Sequence, residues 1–97
     1  MAKIEKMENG VFCLTSSGSN THPTSIHLSE KICHWFIEFQ KGTKDKDEFL
    51  VDGITYQVAR NSDGNVTLAE IKQGGFVSDI SFSSEDIKKI LMDFKNI

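Results

Sequence analysis

The chain is short of several things that would narrow its role. Two cysteines, Cys13 and Cys33, stand in 97 residues, too few for the disulfide framework that holds small secreted domains together. They fall on an expected strand and an expected helix, so they read as small buried hydrophobes in a reducing compartment, with a single disulfide left open by spacing alone. No apolar run approaches the roughly 18 residues that would span a membrane. The opening MAKIEKMENG lacks the apolar core of a signal peptide, so the expectation is a cytoplasmic protein without a membrane partner. Excess charge of one sign is also missing: 11 basic residues face 14 acidic ones, a net charge of -3. That balance disfavours a generic nucleic-acid binder, which concentrates lysine and arginine to displace counterions.

What is present is the material of a core. Hydrophobic residues make up 38% of the chain, and seven Phe, one Trp and one Tyr supply bulk. Such a composition is too rich for disorder, and the length suits a single domain over 1–97.

Periodicity sorts the chain into strands and helices. Val11 to Thr15 alternates as a strand, and the polar stretch SSGSNTHPTS, with Gly18 and the only proline, Pro23, reads as a loop. Ile26 and Leu28 then lead into Ser29, a candidate N-cap. Ile32, Cys33, Phe36, Ile37 and Phe39 follow at helical spacing until Gly42, which predicts an amphipathic helix over about 29–41. KGTKDKDE alternates in sign and reads as a solvated linker. From 49 to 82 the chain reads as an antiparallel meander of three or four strands, punctuated by Asp52-Gly53, Asn61-Ser62-Asp63-Gly64 and Gly74-Gly75. Ser83 and Asp86 then form a capping box with a short acid, Phe82 and Ile87 stand where a hydrophobic staple would, and Ile87, Ile90, Leu91 and Phe94 make a helical stripe over about 84–95.

The expected fold is therefore α+β: one antiparallel sheet of four to five strands packed against two amphipathic helices, 29–41 and 84–95. Laying Ser29 on Ser84 aligns Ser29-Glu30-Lys31-Ile32 with Ser84-Glu85-Asp86-Ile87, and Trp35 to Phe39 with Ile90 to Phe94. The likeness suggests two pseudo-symmetric strand-helix units.

Catalytic and metal chemistry find little to stand on. His22, His27, His34, Cys13 and Cys33 offer ligands, but no CxxC or HxxxH spacing gathers them. Cys33 and His34 are neighbours on a helix and point about 100° apart, so they do not make a nucleophile and its base. Cys13 could meet a histidine across strands, but nothing marks an oxyanion hole. Gly74-Gly75 lacks the lysine and following helix of a phosphate loop. No catalytic residue, metal site or cofactor is assigned, and the chain is expected not to be an enzyme; a small metalloprotein or enzyme would need a cleft collecting the histidines.

Interaction surfaces remain. Tyr56, Arg60, Lys72 and Phe76 fall on the meander, where aromatic and basic side chains could grip a peptide or stack bases. The competing reading places Tyr56 and Phe76 in the core and the charges at the rim. The expected role is a protein-binding or regulatory domain, including an inhibitory one, whose partner is another protein; a homodimer is the simplest way to hide a sheet edge.

The segment FLVDGITYQVARNSDGNVTLAEIK, followed by DISFSSEDIKKIL, resembles the meander and helix of the transcriptional positive coactivator family, small dimeric proteins that bind single-stranded DNA. The resemblance covers 49–91, somewhat under half of the chain, and implies that Tyr56, Arg60 and Lys72 lie near sheet positions that meet a nucleic-acid strand. Gln57, Glu70 and Asp79 stand where that family is more basic, and the unit at 11–41 goes beyond a minimal member.

Overall fold

A computed structural model describes residues 2–16, 24–75 and 77–97. Its strands are β1 (Ala2–Lys6), β2 (Val11–Ser16), β3 (Thr24–Ser29), β4 (Lys46–Val51), β5 (Ile54–Arg60), β6 (Val66–Ile71) and β7 (Val77–Phe82), and its helices are α1 (Glu30–Lys41) and α2 (Ser84–Lys95). The class is α+β with two helices, but the single sheet expected from the sequence is two: β1-β2-β3 and β4-β5-β6-β7, both antiparallel meanders. The reason is α1. A 12-residue helix between β3 and β4 carries the chain away from the first sheet before the second begins.

Turn chemistry sets the registers. Between β1 and β2, Asn9 and Gly10 take left-handed backbone (φ 66 and 74) and Met7 N–H donates to Val11 O at 2.6 Å, which reverses the chain and pairs Ile4 with Leu14. Asp52 (φ 52) and Gly53 (φ 77) supply the two positive φ values of a tight hairpin and pair Val51 with Ile54. At 61–65 the Asn61 side-chain oxygen accepts from Asp63 N–H at 2.9 Å and Asn65 N–H at 3.0 Å. There Gly64 alone is left-handed, not Asp63.

Three boundaries move relative to the sequence reading. β1 was not anticipated. Ser16, Thr24 and Ser25 belong to strands rather than to the polar loop, whose remaining positions 17–23, including His22, Gly18 and Pro23, lie outside the described residues. β4 begins inside the expected solvated linker, at Lys46. Its second residue, Asp47, turns inward, accepting from Trp35 Nε1–H at 3.1 Å and Glu48 N–H at 2.9 Å. Those bonds hold the Asp47 carboxyl below its usual range, the backbone N–H of Glu48 first and the Trp35 indole second.

Alternation puts Ala2, Ile4, Phe12, Leu14, Ile26 and Leu28 on the inner face of the first sheet and Tyr56, Val58, Val66, Leu68, Ile80 and Phe82 on that of the second. Helix α1 adds Ile32, Cys33, Phe36, Ile37 and Phe39, and α2 adds Ile87 and Ile90, in one continuous core. Phe36 meets Phe82 at 5.8 Å and Phe12 meets Phe94 at 5.8 Å. The sheets are also tied directly: Ser16 Oγ donates to Ser81 O at 2.7 Å. Helix α2 packs on β1 of the first sheet, so the end of the chain closes over its beginning. Its N-terminus is capped as the sequence predicts, with Ser83 Oγ accepting from Asp86 N–H and the Asp86 carboxylate accepting from Ser83 N–H. Ser29 ends β3 in extended backbone at the same place before α1, but its side chain makes no cap hydrogen bond.

Candidate interaction surface

Each strand of the second sheet sends alternate residues away from the core, and the register lines them up across all four strands. One row is Leu50, Thr55, Ile71 and Val77; the next is Glu48, Gln57, Ala69 and Asp79; the third is Lys46, Ala59, Thr67 and Ser81. Leu50 is 70% exposed and Val77 60% exposed, and Ile71 between them is half-buried. Gln57 Nε2 donates to Glu48 Oε2 at 3.1 Å, and Thr67 and Ser81 hydroxyls meet at 3.1 Å. A groove of about 530 Å³ runs along the β4–β5 pair, lined by Lys46, Asp47, Glu48, Gln57, Val58 and Ala59. Among the described residues the face carries one lysine, two carboxylates and no aromatic ring.

Of the four positions singled out from the sequence, the three that are described, Tyr56, Arg60 and Lys72, do not belong to these rows. Tyr56 points into the core, 4% exposed, and its hydroxyl donates to Glu70 Oε2 at 2.8 Å across the β5–β6 pair. Burial first, then Glu70, pushes the phenol well above its usual range. Lys72 Nζ reaches the other oxygen of Glu70 at 3.6 Å. The structure thus joins Tyr56 and Lys72 through a residue that the sequence reading counted against nucleic-acid binding.

Arg60 sits at the opposite end of β5 and is turned toward α1. Its guanidinium donates to Lys44 O at 3.1 Å, Phe39 O at 3.3 Å and Gln40 Oε1 at 3.4 Å, and lies 4.9 Å from the centre of the Phe39 ring. It therefore bridges the last turn of α1, where Phe39 O also accepts from Gly42 N–H at 3.2 Å, and the segment just after it at Lys44. Phe76 lies outside the described residues.

The groups considered for chemistry are dispersed. His27 is exposed on β3, opposite Cys13 in register, and the Cys13 sulfur lies 3.8 Å from Thr15 Oγ1. His34 is exposed on α1, 3.7 Å from Glu30 and edge-on to Phe94 at 5.5 Å. Cys33 is fully buried; burial, with Glu30 adding to it, pushes its thiol up to about 12, so at neutral pH it holds its proton and is no nucleophile. Among the described residues no three His, Cys, Asp or Glu side chains are placed to hold a metal ion. A second cleft, of about 340 Å³, lies where α1 ends against β4, with Trp35, Phe39, Lys44 and Asp47 in its lining. No helix among the described residues is long and apolar enough to cross a membrane.

The apolar row is what sequence reasoning missed. Phe49-Leu50-Val51 reads as a strand from its residues alone, and only the register with Tyr56 and Val58 inside assigns Leu50 to the open side. No protein-family model matches the chain, and no curated protein sequence matches it.

Proposed function

We propose that this chain is a non-catalytic, regulatory protein-binding module that meets its partner on the open face of the β4–β7 sheet. The observation that carries the reading is the row of Leu50, Ile71 and Val77. A sheet covered on one side ordinarily shows water a polar face, and here two large aliphatic side chains stand mostly exposed instead. Covering Leu50 and Val77 would contribute roughly 1–2 kcal/mol each, an anchor of the size that a few central residues supply in protein interfaces. Glu48 and Asp79 stand on the two outer strands in the neighbouring row, so the partner segment that fits is apolar where it meets the row and carries two basic groups that reach to one side of it. The resemblance to single-strand-binding coactivators would call for stacking rings and cations instead, and the described part of this face has no ring and one lysine. The β-β-β-α and β-β-β-β-α order, each helix following its last strand through a serine, supports reading the chain as two pseudo-symmetric strand-helix units. In that reading each unit covers one side of its sheet and leaves the other side open.

A photo-crosslinking amino acid placed at Leu50, and in a control chain at Ser25 on the first sheet, tests this in extract of cells that express the chain. Adducts of protein mass from position 50 and none from position 25 are expected. Adducts to nucleic acid, or equal labelling from both positions, would overturn the reading.

A further inference from the structure

Resting on that reading of the open face, we infer that the segment it accepts is helix α2 of a second copy of this chain. The solvent side of α2 matches from Lys88 onward, beyond the acidic first turn of Glu85 and Asp86. Met92 is 65% exposed, and Lys88 and Lys95 stand four residues before and three after it, both exposed, which puts all three on one stripe. Among the described residues no ion pair involves Lys88 or Lys95, whereas Lys89 is held by Asp93 at 2.6 Å.

The spacing agrees as well as the charge. Glu48 on β4 and Asp79 on β7 are three strands apart in one cross-strand row, about 14 Å at ordinary strand spacing. Lys88 and Lys95 are separated by about 10 Å along the helix axis, and their flexible stems reach outward to span the rest. Glu48 and Asp79 belong to the row beside that of Leu50, Ile71 and Val77, two residues along each strand or about 7 Å, so a helix laid along the apolar row lowers Met92 onto it while the two lysine stems reach sideways to the carboxylates. The contact is small. A 12-residue helix against a four-stranded face covers on the order of 500 Å² per partner, the low end for specific association, so the complex forms at tens to hundreds of micromolar.

Sedimentation or light scattering of the purified chain across that range is the test, with two charge-reversed chains beside it. In E48K/D79K the face turns basic against a basic helix, and in K88E/K95E the helix turns acidic against an acidic face. All four positions are exposed, and circular dichroism checks that each variant folds. The native chain is expected to rise above monomer mass with concentration. Each variant alone should self-associate about tenfold more weakly or worse, and the two mixed should associate again, because the acidic helix of one then meets the basic face of the other. A native chain that stays monomeric throughout overturns the inference, as does a mixture no more associated than its parts. If the chain is monomeric while position 50 still crosslinks to another protein, self-docking falls and the open-face reading stands; if position 50 captures no protein, both fall.

Discussion

Removing the Arg60 side chain should loosen the junction between the second sheet and α1, and the structure sets the scale. Arg60→Ala deletes three guanidinium hydrogen bonds, to Phe39 O, Gln40 Oε1 and Lys44 O, and a stacking contact 4.9 Å from the Phe39 ring. The bonds are 3.1 to 3.4 Å long and partly open to water, so together they contribute about 1 kcal/mol rather than the full value of buried charged bonds. The cation over the ring adds about 0.5 kcal/mol, and a positive charge at the C-terminal end of a helix adds about 0.5 kcal/mol. The expected loss is about 2 kcal/mol, or roughly 8–16 °C in Tm for a domain of this size. Arg60→Lys keeps the charge but not the planar fork, and should lose about half as much. Urea unfolding followed by Trp35 fluorescence gives the free energy, and amide exchange shows where it acts: protection should fall in the last turn of α1 and at Gly42, whose N–H donates to Phe39 O, but not in α2. A change below about 0.5 kcal/mol in Arg60→Ala, smaller than any one of the three contributions summed above, would refute this role and return the side chain to the surface that the sequence reading gave it.

Two further predictions come from caps and thiols. Ser83→Ala should cost about 1 kcal/mol because it breaks a capping box, while Ser29→Ala, at a cap without a side-chain hydrogen bond, should cost only a few tenths; equal losses in urea unfolding would count against the geometry. A thiol reagent should label Cys13 in the folded chain and reach Cys33 only on unfolding. Because folding raises the Cys33 thiol from its ordinary 9.0 to about 12, the folded chain keeps that proton longer than the unfolded one. Its stabilising effect is then complete below pH 9 and is lost as pH rises toward 12, with a slope of at most about 1.4 kcal/mol per pH unit. Tyr56, whose phenol is also raised from its ordinary 10.0, adds a loss of its own above pH 10, so Cys33→Ala should make the fall in urea midpoint between pH 8 and pH 11 smaller than in the native chain without abolishing it.

The helices were legible because their signals are local. Ser83, Asp86 and the stripe from Ile87 to Phe94 lie within one short segment, and α2 begins and ends where that segment predicts. β1 was not legible, because Ala2 and Ile4 are too few to set a period. They form a strand because β2 offers an edge across the turn at Asn9-Gly10 and α2 covers it, and α2 lies some 80 residues further along the chain. The same limit hid the division into two sheets, since nothing local says whether β3 pairs with β4 or turns into a separate layer. Arg60 shows it for a site: β5 ends at Arg60 as its alternation predicts, but its partners sit at the end of α1 and just past it, 16 to 21 residues earlier, and a basic residue at a strand end looks the same from the sequence whether it meets water or a carbonyl.

The two sheets give an internal comparison that bears on the open face. Both are antiparallel meanders with one side in the common core, so solvation alone would make both outer sides polar. The first sheet follows that rule: Lys3, Glu5, Ser25 and His27 are exposed there, with Val11, Cys13 and Thr15 half-buried along the central strand. The second departs from it at Leu50, Ile71 and Val77, which register places in one row rather than scattering over the face. Isolated exposed aliphatics are ordinary on any protein; a row across one sheet, beside a sister sheet that has none, localises the departure to a single surface. The edge of that sheet is guarded at the same time, since β4 carries Lys46 and Glu48 outward and turns the charged Asp47 inward, devices that discourage strand-to-strand pairing. Guarded in this way, β4 is poorly suited to take an added strand, whereas the open face has room for a helix lying across the strands.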